Sequence, residues 1–159
     1  MQLSTKSITA GVLNAMGDLL AQLTVDADKP FDWKRLGIFT FLGVALVGPA
    51  LHAWYGVLGR LVTSTGSKAG LMRMALDQFV MAPFFISGTV AAVMFLEGKG
   101  HDIKSKLSND LFTIVRSNWL LWVPFQFVNF GFIPAHLQVL AANCVALIWN
   151  VYLSYASHS

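Results

Sequence analysis

The last 43 residues of the chain, from Ser117 to Ser159, contain no Asp, Glu, Lys or Arg. A single straight helix of that length would be about 65 Å long, roughly twice the thickness of the hydrocarbon core of a bilayer. The segment must therefore turn back on itself or lie along a membrane surface. Pro124 and Pro134 mark the expected breaks, because proline lacks an amide donor and disfavours helix in the residue before it.

Two further runs without charged side chains are each long enough for one helical crossing, which needs about 20 residues. They cover residues 36–59, with 24 residues, and residues 78–96, with 19. A third run over residues 8–25 has 18 residues and a single charge, Asp18. Together with a last crossing at about residues 134–155, these runs predict four transmembrane helices.

The composition is that of a membrane protein and argues against a nucleic-acid-binding one. Of the 159 residues, 55% are apolar and 12% are charged, about half the charged share of a soluble domain. The net charge is +3 and the pI is about 9.2, but the basic side chains, Arg35 among them, lie in the connectors and form no stripe. We therefore predict an all-α membrane protein with one membrane domain over residues 1–159 and the lipid bilayer as its partner.

The region before the last crossing has two patterns of its own. Apolar side chains recur at helical spacing over residues 103–116, which predicts an amphipathic helix on the membrane surface. Residues 119–132 are rich in aromatic side chains, which favour the headgroup level, and are interpreted as an interfacial or re-entrant segment broken by Pro124. We interpret six aromatic residues as interface anchors: Trp54, Tyr55, Trp119, Trp122, Trp149 and Tyr152.

The first predicted crossing has a polar stripe, because its polar and small residues recur at steps of three or four. The stripe consists of Ser7, Gly11, Asn14, Asp18 and Gln22. It must face the bundle interior, since an aspartate in the bilayer centre costs about 2.5–3.5 kcal/mol. Two interpretations follow: the stripe lines a water-accessible path for solutes, or its side chains form interhelical hydrogen bonds.

The other predicted crossings also contain polar residues, and these fit both interpretations. We propose eight candidates for a pore lining or for polar packing within the bundle: Asn14, Asp18, Gln22, His52, Asp77, Gln78, Gln126 and Asn129. Kinks are expected at four positions: Gly48, Pro49, Pro124 and Pro134. We expect Arg73 to form an ion pair with Asp77 one turn later, and His52 to be a satisfied bundle histidine, because no second metal ligand lies near it.

No catalytic pattern is present among the common ones. The sequence lacks G-x-S-x-G, H-E-x-x-H, C-x-x-C, a P-loop and a dinucleotide glycine motif. The single cysteine, Cys144, excludes an intrachain disulfide and is expected to be a small buried apolar residue. We therefore predict a protein that is not an enzyme and that carries no metal and no cofactor.

Several segments, taken together, resemble the Mpv-seventeen and peroxisomal twenty-two-kilodalton membrane protein family. The resemblance covers nearly the whole sequence in order, and its densest part is NWLLWVPFQFVNFGFIP at residues 118–134. The other matching pieces are Gly17-Asp18 with Gln22, GPALHAWYGVL at residues 48–58, Asp77-Gln78 with Pro83, Trp149-Asn150 and Tyr152-Leu153-Ser154. Two departures are Val123, where many members have proline, and Gln138, where a basic residue is common.

The resemblance implies a four-span protein of the mitochondrial inner membrane, the peroxisomal membrane or a plastid membrane. It also implies a channel of weak selectivity for small hydrophilic solutes, linked to membrane potential, reactive oxygen species and mitochondrial DNA maintenance. We therefore expect a solute pore, with a noncatalytic membrane scaffold as the alternative. Its expected partners are lipid, small hydrophilic solutes and further copies of itself, but no nucleic acid.

Overall fold

The computed structural model describes residues 3–159, and for residues 130, 131, 135, 136, 138 and 139 it describes the backbone alone. The polypeptide forms five long helices: α1 (Leu3–Thr24), α2 (Trp33–Leu61), α3 (Ser67–Leu96), α4 (Ile103–Phe132) and α5 (Ala135–His158). A short 3-10 helix, Gly100–Asp102, precedes α4. Gly98, at φ 82°, ends the turn after α3 in the left-handed conformation that favours glycine.

Consecutive helices run in opposite directions. Asp18 of α1 contacts Arg35 of α2, whereas Gly11 contacts Gly43, so the two helices are antiparallel. The pairs α3–α4 and α4–α5 are antiparallel as well. Gln78 of α3 bonds Asn118 of α4, and Tyr152 of α5 bonds Ser117 of α4. Lys106, near the start of α4, bonds Ser159, after the end of α5. Helices α1, α3 and α5 therefore share one direction, and α2 and α4 share the other.

This order gives the bundle two distinct ends. What we call the C-terminal end holds the carboxyl terminus of the polypeptide and the connectors over residues 25–32 and 97–102. The N-terminal end holds the start of α1 and the connectors over residues 62–66 and 133–134. The start of α1 and the end of α5 therefore lie at opposite ends of the bundle.

The helices have the length and the surface of an integral membrane protein. Within the part of the chain that the structure describes, three helical segments are long and apolar enough to cross a bilayer: Trp33–Leu61, Ser67–Leu96 and Leu140–His158. Large apolar side chains such as Phe84, at 77% exposed, and Phe132, at 84%, point outward, which suits contact with lipid. The predicted class, an all-α membrane protein, is confirmed.

Helix α1 packs between α2 and α5 through positions without side chains. A Cβ atom added at Gly17 would lie 2.4 Å from the Cβ of Asn150 in α5, and one at Gly43 would lie 2.6 Å from the Cα of Gly11. Gly48 of α2 lies equally close to Ser7. Small residues at these contacts let the backbones approach closely, which is how helices gain packing energy in lipid, where no hydrophobic drive between helices exists.

Buried apolar side chains concentrate toward the C-terminal end. One cluster joins α3, α4 and α5 through Ile86, Val90, Ile114, Trp149 and Leu153, and a second joins α2 and α3. Among the side chains that the structure describes, the buried apolar ones in the N-terminal half are Ala10, Leu58, Val62 and Ala69. The described apolar clusters therefore lie toward the C-terminal end.

Helix α4 corrects the prediction for residues 103–132. It continues through Pro124 without a break for 30 residues, about 45 Å, so residues 103–116 and 119–132 are parts of one helix. The polypeptide does turn at the second proline, since Ile133 is extended and Pro134 caps the start of α5. A proline inside a membrane helix is tolerated where neighbouring groups compensate for the freed carbonyl.

The apolar stripe of residues 103–116 does not face the membrane surface as expected. Ile114 and Val115 are buried in the main cluster, and Leu107 and Leu111 pack against it. Helical spacing identifies an apolar face but does not say whether lipid or protein covers it.

Each of the two helices with an early proline contains one wide turn. Residues Gly43–Val47 in α2 and Asp77–Met81 in α3 form π-helical turns, and each ends two residues before a proline, Pro49 or Pro83. Proline removes an amide donor and clashes with the carbonyl four residues earlier, and a π turn moves that carbonyl away. The irregularity expected at Gly48 and Pro49 takes this form.

We expect tags at the two termini to lie on opposite sides of the membrane, because the five helices alternate in direction. Protease added to sealed vesicles should remove only one of an N-terminal and a C-terminal epitope tag, and should remove both after detergent is added. Removal or protection of both tags together in sealed vesicles would instead support the four crossings predicted from sequence.

Candidate functional site

A buried arginine joins three parts of the protein near the C-terminal end of the bundle. Arg35 of α2 is 6% exposed, and its Nε donates to Asp18 Oδ1 of α1 at 2.6 Å. Its Nη1 donates to Asp26 Oδ2 at 2.9 Å, and its Nη2 donates to Ser154 Oγ of α5 at 2.9 Å. We call Asp18, Gln22, Asp26, Arg35 and Ser154 the ion-pair network.

Asp18 is fully buried, and both of its carboxylate oxygens are hydrogen bonded. Oδ1 accepts from Arg35 and from the Ser154 hydroxyl, and Oδ2 accepts from Gln22 Nε2 at 2.8 Å. A buried carboxylate is tolerated only when its charge is paired and its lone pairs are satisfied. The network meets both conditions.

The start of α2 is shaped to deliver Arg35 to this position. Asp32 caps the helix, since its Oδ1 accepts from the Arg35 backbone N–H at 3.0 Å. The Gln22 amide holds the Asp32 backbone on both sides, because Gln22 Nε2 donates to Asp32 O at 3.0 Å and the Asp32 N–H donates to Gln22 Oε1 at 2.7 Å. Gln22 therefore links the end of α1 to the first turn of α2.

Asp26 lies in the connector and is the outermost member of the ion-pair network. A hydrogen bond from Lys29 Nζ at 2.8 Å, and then the hydrogen bond and charge of Arg35, hold the pKa of Asp26 below its ordinary 3.8 although burial opposes the shift. A second contact of the same kind closes this end of the bundle. Burial tends to raise the pKa of Glu97, but hydrogen bonds and charge from His158 and Lys99 hold it below 4.5.

A second polar group lies near the middle of the bundle, between α2, α3 and α4. Asp77 accepts from Trp54 Nε1 at 2.8 Å, and Asn118 Nδ2 donates to Gln78 Oε1 at 2.7 Å. Trp119 Nε1 donates to the backbone oxygen of Gln78 at 2.8 Å. We call these five residues the mid-bundle cluster.

The π turn explains why an indole reaches a backbone oxygen inside α3. The N–H of Ala82 bonds to Asp77 O, five residues earlier. The donor that would serve Gln78 O in the same pattern is residue 83, which is a proline without an N–H. Trp119 supplies the missing donor from α4, so the wide turn and the interhelical contact form together.

Of the eight predicted polar residues, the structure brings Asn14, Asp18 and Gln22 together with protein partners. Asn14 is buried, and its Nδ2 donates to Phe39 O at 3.2 Å. Asp77 and Gln78 meet in the mid-bundle cluster. These five residues make the interhelical hydrogen bonds that one of the two interpretations predicts.

The other three predicted residues lie elsewhere. His52 is exposed on the outer surface of α2, so it is not the satisfied bundle histidine that we expected. Gln126 and Asn129 lie on α4 toward the N-terminal end, and Asn129 is 4% exposed. The Gln126 Oε1 atom is enclosed and accepts no hydrogen bond from the described residues.

The structure corrects three further expectations from sequence. Arg73 does not pair with Asp77; its Nη2 donates to Val62 O at 2.8 Å, and Asp77 bonds Trp54 and Gln78 instead. Trp119 and Trp149 pack within the bundle and are not interface anchors alone. Cys144 is exposed. The side chain of Gln138 lies outside the described part of the structure.

Sequence reasoning missed Arg35, Asp26 and Ser154 as members of the site. Arg35 was counted as a connector charge because it borders an uncharged run, and Ser154 appeared only as part of a motif. One signal was available: Asp18 is the single charge of its run and needs a cation at the same depth, and Arg35 is the last charge before the next uncharged run. Within residues 3–159, as far as side chains are described, no group of three or more His, Cys, Asp or Glu residues is placed to hold a metal ion.

We expect Arg35→Met to lower the free energy of unfolding by about 3–5 kcal/mol, because it leaves the buried Asp18 carboxylate without its cation. Asp18→Asn combined with Arg35→Met should lower the free energy of unfolding by less, since no unpaired charge then remains at position 18. Lys34→Met is the matched control, because Lys34 is exposed and adjacent. Unfolding in mixed detergent micelles measures all three, and an equal loss for Lys34→Met and Arg35→Met would contradict the role of the network.

The lowered pKa of Asp26 predicts a pH-dependent contribution to stability. Because the pKa in the folded state lies below 3.8, the ionised carboxylate stabilises the fold above that pH and loses its effect as the pH falls through the folded pKa. The difference in melting temperature between the wild type and Asp26→Asn should therefore be constant at neutral pH and shrink in acid. Asp28→Asn, at an exposed neighbouring position, should show no such difference.

Comparisons with known proteins identify the family of this chain. The model of the Mpv17 / PMP22 family matches residues 94–154, which include α4 and most of α5. Human mitochondrial inner membrane protein Mpv17 is 35% identical over 154 residues, which cover 95% of this chain and 88% of the relative. Bovine peroxisomal membrane protein 2 is 34% identical over 157 residues, with 94% and 80% covered.

A third relative, PXMP2/4 family protein 2 of Dictyostelium discoideum, is 33% identical over 163 residues, with 98% of this chain and 84% of the relative covered. No solved structure matches the sequence. The resemblance seen in the sequence is confirmed, and the alignments cover at least 94% of this chain and at least 80% of each relative: this chain belongs to the Mpv17 / PMP22 family of membrane proteins.

Proposed function

We propose that this protein is a passive path for small hydrophilic solutes in the mitochondrial inner membrane or the peroxisomal membrane, the locations that its relatives' names give. The structure would represent its closed form. Passage of solutes through such a path would alter ion gradients, which would link the protein to membrane potential and to reactive oxygen species.

The distribution of polar and apolar side chains supports this proposal. Few of the described side chains in the N-terminal half of the bundle are both apolar and buried, and Asp77, Gln78, Asn118 and Gln126 are buried or half-buried. Polar side chains inside a membrane bundle are costly unless they bond one another or face water. A polar entrance that is open to the N-terminal end fits this arrangement.

The observation that carries the proposal is the Gln126 side chain. Its Oε1 is enclosed, yet among the described residues no donor reaches it. Leaving a buried acceptor unbonded costs about 1–3 kcal/mol, and a water molecule or a polar solute in the path would supply the bond. Gln126 lies two turns along α4 from Asn118, on the polar side of that helix.

The opposite half of the bundle would form the closure. There the ion-pair network ties α1, α2 and α5 together, and the two apolar clusters fill the space around it. Opening would require α1 to separate from α2 or α5, which means loosening the bonds of Asp18. The ion-pair network would thus stabilise the closed form.

We expect Gln126→Leu to lower solute flux several-fold without destabilising the fold, because leucine removes the polar group and leaves no unbonded acceptor behind. Release of a small neutral sugar from proteoliposomes measures the flux, and thermal unfolding measures the stability. Phe84→Leu, at an outward position of α3, is the control and should leave the flux unchanged. A folded wild type whose flux equals that of empty liposomes would contradict the pore.

One observation favours the alternative, a noncatalytic membrane scaffold. Asn14, Asp18 and Gln22 are all bonded to protein groups, so the stripe on α1 needs no water. A scaffold predicts that substitutions at these positions change the recovery of complexes while flux stays at background. The same proteoliposome series, combined with size measurement in detergent, separates the two functions.

A further inference from the structure

An arginine lies on the outer surface of α4 with no carboxylate partner. Arg116 is exposed, and among the described residues no acidic side chain lies within ion-pair distance of it. Arg35, by contrast, is held by two carboxylates, and Arg73 bonds a backbone oxygen. Arg116 is also the last charged side chain of the sequence, and an unpaired charge at such a position indicates a ligand of opposite sign.

The aliphatic stem of Arg116 borders an apolar groove of about 300 Å³ between α3 and α4. The groove is lined by Phe79 of α3 and by Arg116, Trp119, Leu120, Val123 and Pro124 of α4. The one other polar hydrogen among these side chains, on the Trp119 indole, already bonds Gln78 O. The surface of the groove is therefore hydrocarbon, and the only charged side chain that borders it is Arg116.

The walls of the groove are fixed by contacts already described. The Trp119 ring is held by its hydrogen bond to the π turn of α3, and the Phe79 ring packs against it with centroids 5.2 Å apart. Pro124, which has no N–H to donate along α4, lines the groove at the end farthest from Arg116. A groove with anchored walls is preorganised, which lowers the entropy lost when a ligand binds.

Arg116 and the apolar side chains of the groove follow one another along α4. The α4 residues recur at steps of three or four on one face, and Pro124 lies about 12 Å further along the helix than Arg116. Helical side chains lean toward the helix N-terminus, which for Arg116 is the C-terminal end of the bundle, where Lys104, Lys106 and Asp110 lie. Arg116 thus marks the end of the groove nearer the C-terminal end of the bundle, and the apolar walls extend from it toward the N-terminal end.

We propose that this groove binds one anionic glycerophospholipid, with its phosphate on the Arg116 guanidinium and one acyl chain along Trp119, Leu120 and Val123. Arginine recognises phosphate with two parallel hydrogen bonds, and the extended apolar wall matches a hydrocarbon chain. The proposal is independent of solute transport. It assigns a lipid ligand to a helix that carries part of the mid-bundle cluster.

Charge complementarity favours a lipid over a second copy of the protein. A second copy would have to present a carboxylate at the depth of Arg116. Of the eight acidic side chains, the two in the network are buried, Asp77 bonds Trp54, and Glu97 bonds His158. The remaining four lie in the connectors or in the first turns at the C-terminal end: Asp28, Asp32, Asp102 and Asp110.

The test compares lipids by the thermal unfolding of the purified full-length protein in neutral detergent. Short-chain phosphatidylglycerol should raise the melting temperature more than phosphatidylcholine of the same acyl length. Arg116→Gln should weaken the apparent affinity for phosphatidylglycerol about fivefold, the value of one arginine at a lipid surface. Arg60→Gln, an exposed arginine at the other end of the bundle, should leave it unchanged.

Two further measurements distinguish the ligand classes. Leu120→Trp fills the groove and keeps Arg116, so it should also weaken phosphatidylglycerol binding, whereas binding of the phosphate alone would be unaffected. Inorganic phosphate should not stabilise the protein at the same concentration. Equal stabilisation by the two lipids, full stabilisation by inorganic phosphate, or a change from dimer to monomer in Arg116→Gln with lipid binding intact would each overturn the proposal.

Discussion

The bond between Arg35 and Asp18 is the constraint on which the rest of the bundle depends. A carboxylate with no exposure to solvent can exist in lipid only beside a cation. This requirement turns the polar face of α1 inward and sets the register of α1 against α2. Ser154 then joins the same oxygen of Asp18, which brings α5 to the other side of α1. Glycine contacts at Gly17 and Gly43 allow the close approach that these short bonds need.

The prolines of the two middle helices have a related effect. Each lies just after a π turn, and in α3 the turn frees a backbone oxygen that an indole from α4 bonds. The contact fixes Trp119, which in turn forms one wall of the groove beside Arg116. A local backbone irregularity, an interhelical contact and a surface feature therefore have one physical origin, the missing N–H of Pro83.

The described contacts that hold the helices together differ between the two halves of the bundle. Near the C-terminal end, apolar clusters and ion pairs resist separation of the helices, whereas the N-terminal half is held by hydrogen bonds such as those of Trp54 and Asn118. Hydrogen bonds between membrane helices contribute about 0.6 kcal/mol each on average. Among the described contacts, those of the N-terminal half are thus the least costly to rearrange, whereas opening the closure at the other end requires the bonds of Asp18 to loosen.

The sequence by itself determined the class of the protein and the inward direction of the polar stripe on α1. These follow from uncharged length and from periodicity, which are local properties. It did not identify Arg35 or Ser154 as partners of Asp18, because they lie 17 and 136 residues away along the sequence. It also placed a break at Pro124 and a surface helix at residues 103–116. Only the tertiary structure decided those points, since whether a proline is tolerated, or whether an apolar face meets lipid or protein, depends on the neighbouring helices that supply the missing contacts.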